Sequence, residues 1–184
     1  MSLGIGAYRD DSGKPYVLPS VRKAEERLLA KKLNHEYAGI DGVQEFLKAS
    51  LEFCYGSEAQ GSASAALAEG RIGGVQSISG TGALRLGGEF LARFRGKGSA
   101  IYLPNPTWAN HNAIFKDSGL EVRQYAYYDP KTCGLDFLGM CGDLQAAPEG
   151  STFLLHACAH NPTGVDPTPD WGGDPLTPTP SLPN

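Results

Sequence analysis

The second half of the chain alternates short apolar runs with longer helical segments, and this alternation constrains the fold more than any other feature. Between residues 73 and 159 the apolar runs read GGVQSI, AIYL, EVRQYAYY and TFLLHACA. The segments TGALRLGGEFLARF, TWANHNAIFKDSG and DFLGMCGDLQAA lie between them and have the length and apolar spacing of helices. Strands separated by such helices indicate βαβ units, because parallel neighbours need a crossover connection. The sequence therefore predicts an α/β fold with a parallel-rich sheet flanked by helices.

Two amphipathic segments precede the alternating region. PSVRKAEERLLAKKL begins at Pro19 and predicts a helix capped by Ser20, with an apolar stripe of Val21, Ala24 and Leu28. VQEFLKASLEFCYG predicts a second helix that ends at Gly56.

Polar residues follow three of the predicted strands at the point where each one ends. SGTG follows the first strand, PNPTW the second and HNPTG the last. Ligands of parallel α/β sheets bind beyond the carboxyl ends of the strands. We therefore expect these three strand ends to form one site.

The SGTG segment has the composition of a phosphate-binding turn. Ser79, Gly80 and Thr81 place two hydroxyls and a flexible glycine at the start of a predicted helix, where backbone N–H groups favour anions. A simple helix-capping turn is the alternative. A dinucleotide fingerprint is disfavoured, because Arg85 stands where a small third residue is needed.

The two later strand ends supply aromatic and polar candidates. Trp108 could offer a flat face to an aromatic ligand, with His111 about one helical turn further on, although a Trp packed into the core is the alternative. Asn161 follows the last strand and is held by Pro162 and Gly164, which favours an amide fixed at the site.

The segment HACAH raises the possibility of a zinc site. His156, Cys158 and His160 alternate, so on a strand they would share one face. No fourth ligand follows in the sequence, and a core histidine is the alternative for at least one of the two imidazoles. We expect no metal here.

The composition favours a small-molecule ligand. The net charge is −4 and the basic residues are scattered, so there is no basic surface for nucleic acid. The four cysteines form no CxxC pair, which is typical of a reducing, intracellular compartment. No apolar run has the length of a membrane-spanning helix, and we expect no membrane partner.

Several ordered motifs together resemble the aspartate aminotransferases, which belong to the fold-type I enzymes that use pyridoxal 5'-phosphate (PLP). The motifs are LGIGAYRDD, HEYAGIDG, SISGTGALR, NPTWANH, YYDPKTCG and LLHACAHNPTGVDP, and the resemblance runs from Leu3 to about Trp171. It implies the N-terminal part of the PLP-binding large domain. It also implies amino-group transfer between L-aspartate and 2-oxoglutarate, with amino-acid and 2-oxo-acid substrates.

The resemblance assigns cofactor roles to the residues after the strands. Ser79, Gly80 and Thr81 would hold the cofactor phosphate. Trp108 would stack on the pyridine ring, and Asn161 would bind the phenolic oxygen of that ring.

Further roles follow from the same resemblance. His111 would support an aspartate that keeps the pyridine nitrogen protonated, and His156 would lie nearby. Gly6 would meet the α-carboxylate of the substrate, next to Trp108 and Asn161. Tyr37 would reach the cofactor phosphate of a neighbouring subunit, which implies a homodimer.

The resemblance also predicts what this chain does not supply. The Schiff-base lysine and the arginines that bind substrate come after HNPTG in the family, and the sequence has no lysine after Lys131 and no arginine after Arg123. We therefore expect no catalytic lysine and no turnover from this chain alone.

The expected organisation has three parts. Residues 1–16 form a substrate-side loop, residues 17–171 the incomplete large domain, and residues 172–184 a divergent, proline-rich, disordered tail. A transaminase of aromatic specificity and a non-catalytic fragment that pairs with a full-length subunit are the alternatives. The family location is mitochondrial or cytoplasmic.

Overall fold

The computed structural model describes residues 6–56 and 63–168 of the 184-residue chain. The chain divides into two compact units, Met1–Val43 and Gln44–Asn184. The predicted tail over 172–184 lies outside the described residues. Within the described ranges, no helix combines the length and the apolar character needed to cross a bilayer.

Among its described residues, the first unit contains one helix, α1 (Pro19–Ala30). The helix begins at Pro19, two residues before the start that a Ser20 cap would give, and its N-cap residue Leu18 makes no side-chain capping bond. The predicted Ser20 cap is therefore wrong, because proline already supplies a preorganised first helical position. No residue of α1 is buried, and Val21 and Leu28 are exposed. The predicted inner stripe has no covering surface among the described residues of this unit.

The second unit contains the remaining elements. The helices are α2 (Gln44–Tyr55), α3 (Ala63–Ala68), α4 (Ser79–Arg95), α5 (Ala109–Asp117) and α6 (Phe137–Ala146). The strands are β1 (Ala100–Asn105), β2 (Glu121–Ala126), β3 (Tyr128–Asp129), β4 (Gly134–Leu135) and β5 (Thr152–Phe153).

The sheet has the order β2-β1-β5, and all its strands are parallel. Ala100 pairs with Glu121 and Asn105 with Ala126 along the β1–β2 ladder. β5 pairs with β1 over two residues only. The α5 crossover joins β1 to β2, and the α6 crossover joins β2 to β5. The predicted α/β fold with a parallel sheet is confirmed.

Alternate residues of β1 face two separate apolar cores. Ile101 and Leu103 pack on one side of the sheet, with Ala92 of α4 and Phe115 of α5. Tyr102 packs on the other side, with Tyr125, Tyr127 and Met140. Helices therefore cover both faces, which explains why β1 is buried from residue 101 to residue 104.

Two strand predictions are wrong in extent or in kind. GGVQSI forms no strand, and helix α4 begins directly after it at Ser79. An apolar run becomes a strand only beside a partner, and no described strand pairs with this segment. TFLLHACA pairs only at Thr152 and Phe153, so residues 154–159 leave the sheet as an irregular segment.

Candidate functional site

Five aromatic and imidazole rings form a continuous column near the carboxyl ends of the strands. Trp108 meets His111 edge to face at 5.4 Å between ring centroids, and His111 meets His156 edge to face at 5.3 Å. His156 stacks on His160 at 4.2 Å, and His160 stacks on Tyr127 at 3.8 Å. We call these five residues the ring column. It joins the segments that follow β1, β2 and β5.

The start of α5 places the first two rings. Trp108 is the N-cap residue, and its carbonyl accepts the backbone N–H of His111 at 3.0 Å. His111 therefore lies in the first turn of the helix, directed into the unit, and only 6% of its surface is exposed. Trp108 is half-buried.

Thr107 connects two of the imidazoles. The Asn161 backbone N–H donates to Nδ1 of His156 at 3.2 Å, so the proton of the neutral His156 ring is on Nε2. That nitrogen lies 3.5 Å from Oγ1 of Thr107, which in turn lies 2.8 Å from Nδ1 of His111. The Thr107 hydroxyl accepts from His156 and donates to His111. This pattern assigns the proton of His111 to Nε2.

All three imidazoles of the ring column favour the neutral form. Burial lowers the pKa of His111, and the neighbouring His156 lowers it further. Burial also lowers the pKa of His156, against the opposing effect of Asp166. Burial and His156 lower the pKa of His160 to about 4. At neutral pH the column therefore offers polar donors and acceptors without charge.

Asp166 closes the loop that carries Asn161. Its carboxylate accepts the backbone N–H groups of Ala159 at 2.6 Å and His160 at 2.8 Å. These two bonds hold the pKa of Asp166 below its usual range. The Tyr127 hydroxyl donates to the Val165 carbonyl at 2.7 Å, which attaches the loop to the segment after β2.

The predicted phosphate residues form the exposed start of α4. Ser79, Gly80 and Thr81 are all exposed, and Ser79 has a left-handed φ of 59°. The first turn of α4 contains no acidic residue, and its N-cap residue Ile78 makes no side-chain capping bond. A groove of about 440 Å³ adjoins it, lined by Ser79, Gly80 and residues of α2. The start of this helix is therefore open to an anion.

The two helix starts lie at the same end of the unit. The side chain of Ser118, just after α5, lies against Gly88 of α4, where an added Cβ would be 2.6 Å from the Ser118 hydroxyl. Because α4 leads into the start of β1 through a short loop, and α5 follows the end of β1 through another, both helices run antiparallel to β1 and begin at the carboxyl edge of the sheet. Ser79 and Ala109 each precede that contact by nine residues, about 13 Å of helix. The open start of α4 and the ring column therefore share this edge.

The structure brings several of the predicted residues of the second unit together. Trp108, His111, His156 and the Asn161 backbone belong to one bonded cluster. Gly6 and Tyr37 belong to the first unit, where Tyr37 is 96% exposed. Their expected roles remain predictions.

The arrangement of HACAH does not support the zinc hypothesis. The shared face required a strand from His156 to His160, but β5 ends at Phe153. The two imidazoles stack instead, and Cys158 is exposed. The described part of the chain contains no group of three or more metal-binding side chains.

Sequence analysis missed three residues of the site. These residues are Thr107, Tyr127 and Asp166, which bind partners at positions 156, 165 and 160. The contacts of Thr107 and Tyr127 span 49 and 38 residues, and no local pattern reveals them. Asp166 did have a signal, because an acidic residue shortly after an Asn-Pro-Thr-Gly turn can accept the free N–H groups of that turn.

Known proteins match the chain over most of its length. The family model for aminotransferase class I and II matches residues 1–171. The mitochondrial aspartate aminotransferase of Xenopus tropicalis is 56% identical over 167 residues, which are 91% of this chain and 38% of that protein.

Solved structures match the fold as well. The cytoplasmic aspartate aminotransferase of Saccharomyces cerevisiae superposes with a TM-score of 0.83 at 48% identity, covering 91% of this chain and 39% of that chain. An aromatic-amino-acid aminotransferase from Burkholderia pseudomallei, covalently bound to pyridoxal phosphate, superposes with a TM-score of 0.82 at 37% identity. The match covers 91% of this chain and 41% of that chain.

The chain thus spans about two fifths of the length of the relatives it matches. The match nevertheless extends over most of the chain and includes the parallel sheet and the strand ends that form the site. The chain belongs to the class I and II aminotransferase family.

Proposed function

We propose that this chain forms the cofactor-binding, N-terminal part of an aspartate aminotransferase. The reaction would transfer an amino group between L-aspartate and 2-oxoglutarate with PLP as cofactor. One observation carries the proposal. In a chain of this family, an open helix start and a column of neutral imidazoles lie at the same edge of the sheet.

The start of α4 fits a phosphate group. Exposed backbone N–H groups and the hydroxyls of Ser79 and Thr81 are donors, and the first turn contains no acidic residue to repel an anion. A Cβ added to Gly80 would meet nothing within 4 Å, so the approach to the backbone is open. A simple capping turn would have a polar N-cap side chain bonded to the first N–H groups, whereas the N-cap residue here is Ile78, whose side chain makes no such bond.

The ring column fits an aromatic ligand ring with a protonated nitrogen. Trp108 supplies a large half-buried face, and Asn161 supplies an amide on a loop fixed by hydrogen bonds. The proton on Nε2 of His111 is available for a carboxylate that faces a pyridinium, while Thr107 and His156 keep it on that nitrogen. When bound, PLP supplies the electron sink for transamination, and these residues orient its ring.

The first unit would complete the site in the assembled enzyme. We propose that Gly6 meets the α-carboxylate of the substrate and that Tyr37 reaches the phosphate bound by a partner subunit. Exposure of 96% for the Tyr37 side chain is compatible with such a partner. The homodimer and a mitochondrial or cytoplasmic location are part of the same proposal, and the names of the relatives support the location.

Binding of PLP to the chain tests the cofactor site. The sequence has two tryptophans, so the Trp171→Phe variant leaves Trp108 as the only indole and its fluorescence reports on the site. We expect saturable quenching by PLP. The Ser79→Ala, Thr81→Ala double variant should weaken binding about tenfold or more through the loss of two phosphate donors. Thr132→Ala, an exposed hydroxyl at the β3–β4 turn, is the matched control. Quenching that does not saturate would contradict the proposal.

Aromatic specificity is a second candidate, favoured by the Burkholderia structure with its TM-score of 0.82. Identities of 56% and 48% with the aspartate enzymes, against 37% with that aromatic enzyme, favour aspartate. Pairing with a complete subunit is the third candidate. Co-purification of the chain with a full-length aspartate aminotransferase, and its loss in Tyr37→Ala, would support the third.

A further inference from the structure

The loop from Ala159 to Asp166 is closed by its own hydrogen bonds. Both oxygens of Asp166 hold the N–H groups at the start of the loop. Inside it, the Gly164 N–H donates to the His160 carbonyl at 2.7 Å, and the Val165 N–H donates to Oγ1 of Thr163 at 3.1 Å. The loop therefore has one well-defined conformation while it remains docked on the rest of the unit.

The ring of His160 provides that docking. It lies between Tyr127 and His156 in nearly parallel stacks, with interplanar angles of 12° and 27°. Only 1% of the residue is exposed. Its Nδ1 lies 2.8 Å from the Thr163 hydroxyl, and its Nε2 is buried without a hydrogen-bond partner among the described residues.

The unpartnered nitrogen indicates which interaction dominates. Burying a polar atom without a partner is unfavourable. The ring is nevertheless fully enclosed, so contact of its two faces with Tyr127 and His156 outweighs that cost. Two stacking contacts, together with the single hydrogen bond between Nδ1 and Thr163, therefore hold the ring in place.

Asn161 is the next residue after this enclosed ring. Its own N–H donates to His156, the same ring on which His160 stacks. A shift of His160 would therefore move both the peptide that precedes Asn161 and the acceptor of its N–H group.

We propose that His160 is a positioning residue, whose stacked ring fixes the backbone of Asn161 for cofactor binding. The inference rests on the proposed function for the role of Asn161. The fixing of the loop itself depends only on contacts within this chain. His160 touches no cofactor in this account and acts through Asn161.

Amide hydrogen exchange of the unliganded chain tests the fixing directly. His160→Ala removes both stacks, and we expect exchange at residues 159–165 to accelerate about tenfold or more. His160→Phe keeps both ring faces and removes the orphaned nitrogen together with the hydrogen bond between Nδ1 and Thr163, so it should retain most of the protection if the stacks dominate. Unchanged exchange in His160→Ala overturns the proposal. A Phe variant as unprotected as the Ala variant also overturns it.

PLP binding separates positioning from general stability. Leu120→Ala removes a buried side chain of the core on the opposite face of the sheet and serves as the destabilised control. At temperatures where both variants are folded, we expect His160→Ala to weaken PLP binding about tenfold and Leu120→Ala to leave it unchanged. His160→Phe should bind nearly as well as the wild-type chain.

The two measurements distinguish the ways in which the account could fail. A loosened loop with unchanged PLP affinity contradicts positioning for the cofactor. If the wild-type chain binds no PLP, the proposed function fails, and hydrogen exchange alone then decides whether His160 fixes Asn161.

Discussion

The three imidazoles of the ring column are neutral at neutral pH, so they act in the candidate site as hydrogen-bond donors and acceptors and not as charges. His111, His156 and His160 lie within ring-centroid distances of 5.3 Å and 4.2 Å of one another, so each protonation would face a neighbouring imidazole as well as burial. In this neutral state, Nδ1 of His156 accepts the backbone N–H of Asn161, and the Nε2–H of His111 can act as a donor. One added proton on His156 would remove the acceptor that holds Asn161.

Stability should fall as the pH is lowered through the titration of His160. Its pKa is about 4 in the folded chain against an ordinary 6.5, so the unfolded chain binds the extra proton between these values. The contribution of the neutral His160 ring to the free energy of unfolding is fully present above pH 6.5 and is lost as the pH falls towards 4. The loss amounts to about 3 kcal/mol.

Urea unfolding between pH 4.5 and pH 7 measures this dependence. The groups that face His160 are His156, His111, Tyr127 and Asp166, and the two other imidazoles titrate with the same sign. The free energy of unfolding of the His160→Phe variant should therefore still depend on pH. Its slope should be smaller than that of the wild-type chain by up to about 1.4 kcal/mol per pH unit. Equal slopes in the two chains would show that His160 is not held neutral.

At the scale of elements, α4 packs closely on the C-terminal end of α5. This contact fixes the position of one helix along the other, and therefore how far each N-terminus extends towards the carboxyl edge of the sheet. Gly88 makes this possible, because a Cβ there would lie 2.6 Å from the Ser118 hydroxyl and 3.3 Å from the Phe115 ring. Ser118 is itself buried and donates to the Ile114 carbonyl, so it has little freedom to move away.

Two adjacent glycines provide a matched test of this packing. Gly88→Ala should destabilise the chain by about 1–3 kcal/mol through overpacking. Gly87→Ala changes the neighbouring residue of the same helix, where a Cβ meets nothing within 4 Å, and should stabilise it by about 0.5–1 kcal/mol. Thermal unfolding of both variants gives the comparison. A shift of the same sign in both would contradict the close approach.

The N-cap of α6 is a second prediction at this scale. The Asp136 carboxylate accepts the Gly139 N–H at 2.9 Å and satisfies one of the free donors of the helix. Asp136→Ala should lower the free energy of unfolding by about 1 kcal/mol, while Asp136→Asn should retain most of the cap. Chemical denaturation of the three chains checks this, and an Asn variant as unstable as the Ala variant would argue against capping.

The elements show how far sequence patterns reach. The apolar run AIYL predicted β1 correctly, because a strand with helices on both faces needs apolar residues on both sides. GGVQSI carries a similar pattern but no strand, since pairing depends on a distant partner and not on the run itself. The site divides in the same way. The local motifs indicated His111 and His156, whereas Thr107, which joins them, depends on a contact across 49 residues.

At the scale of the whole molecule, we propose that this chain provides the surroundings of a cofactor, and we predict that it does not provide the covalent anchor. The sequence contains no lysine after Lys131, and the chain spans 38–41% of the relatives it matches. Large apolar side chains of α4 are exposed in the described unit, among them Leu86, Phe90 and Phe94. A surface of this kind favours self-association of the isolated chain.

Turnover is the corresponding prediction at this scale. The chain with PLP, L-aspartate and 2-oxoglutarate should form oxaloacetate and glutamate no faster than PLP without protein. The family resemblance puts the lysine that carries the proton after HNPTG, where the given sequence has none. A coupled assay for oxaloacetate measures the rate. Protein-dependent turnover that tracks the purified chain would contradict this expectation.

The most direct test of the central claim is to saturate the chain with PLP, reduce it with borohydride and determine the intact mass and the labelled residues. We predict that no single lysine is labelled stoichiometrically, and that any label is spread over surface lysines. Stoichiometric labelling of one lysine would show that this chain contains its own anchor and would contradict the account.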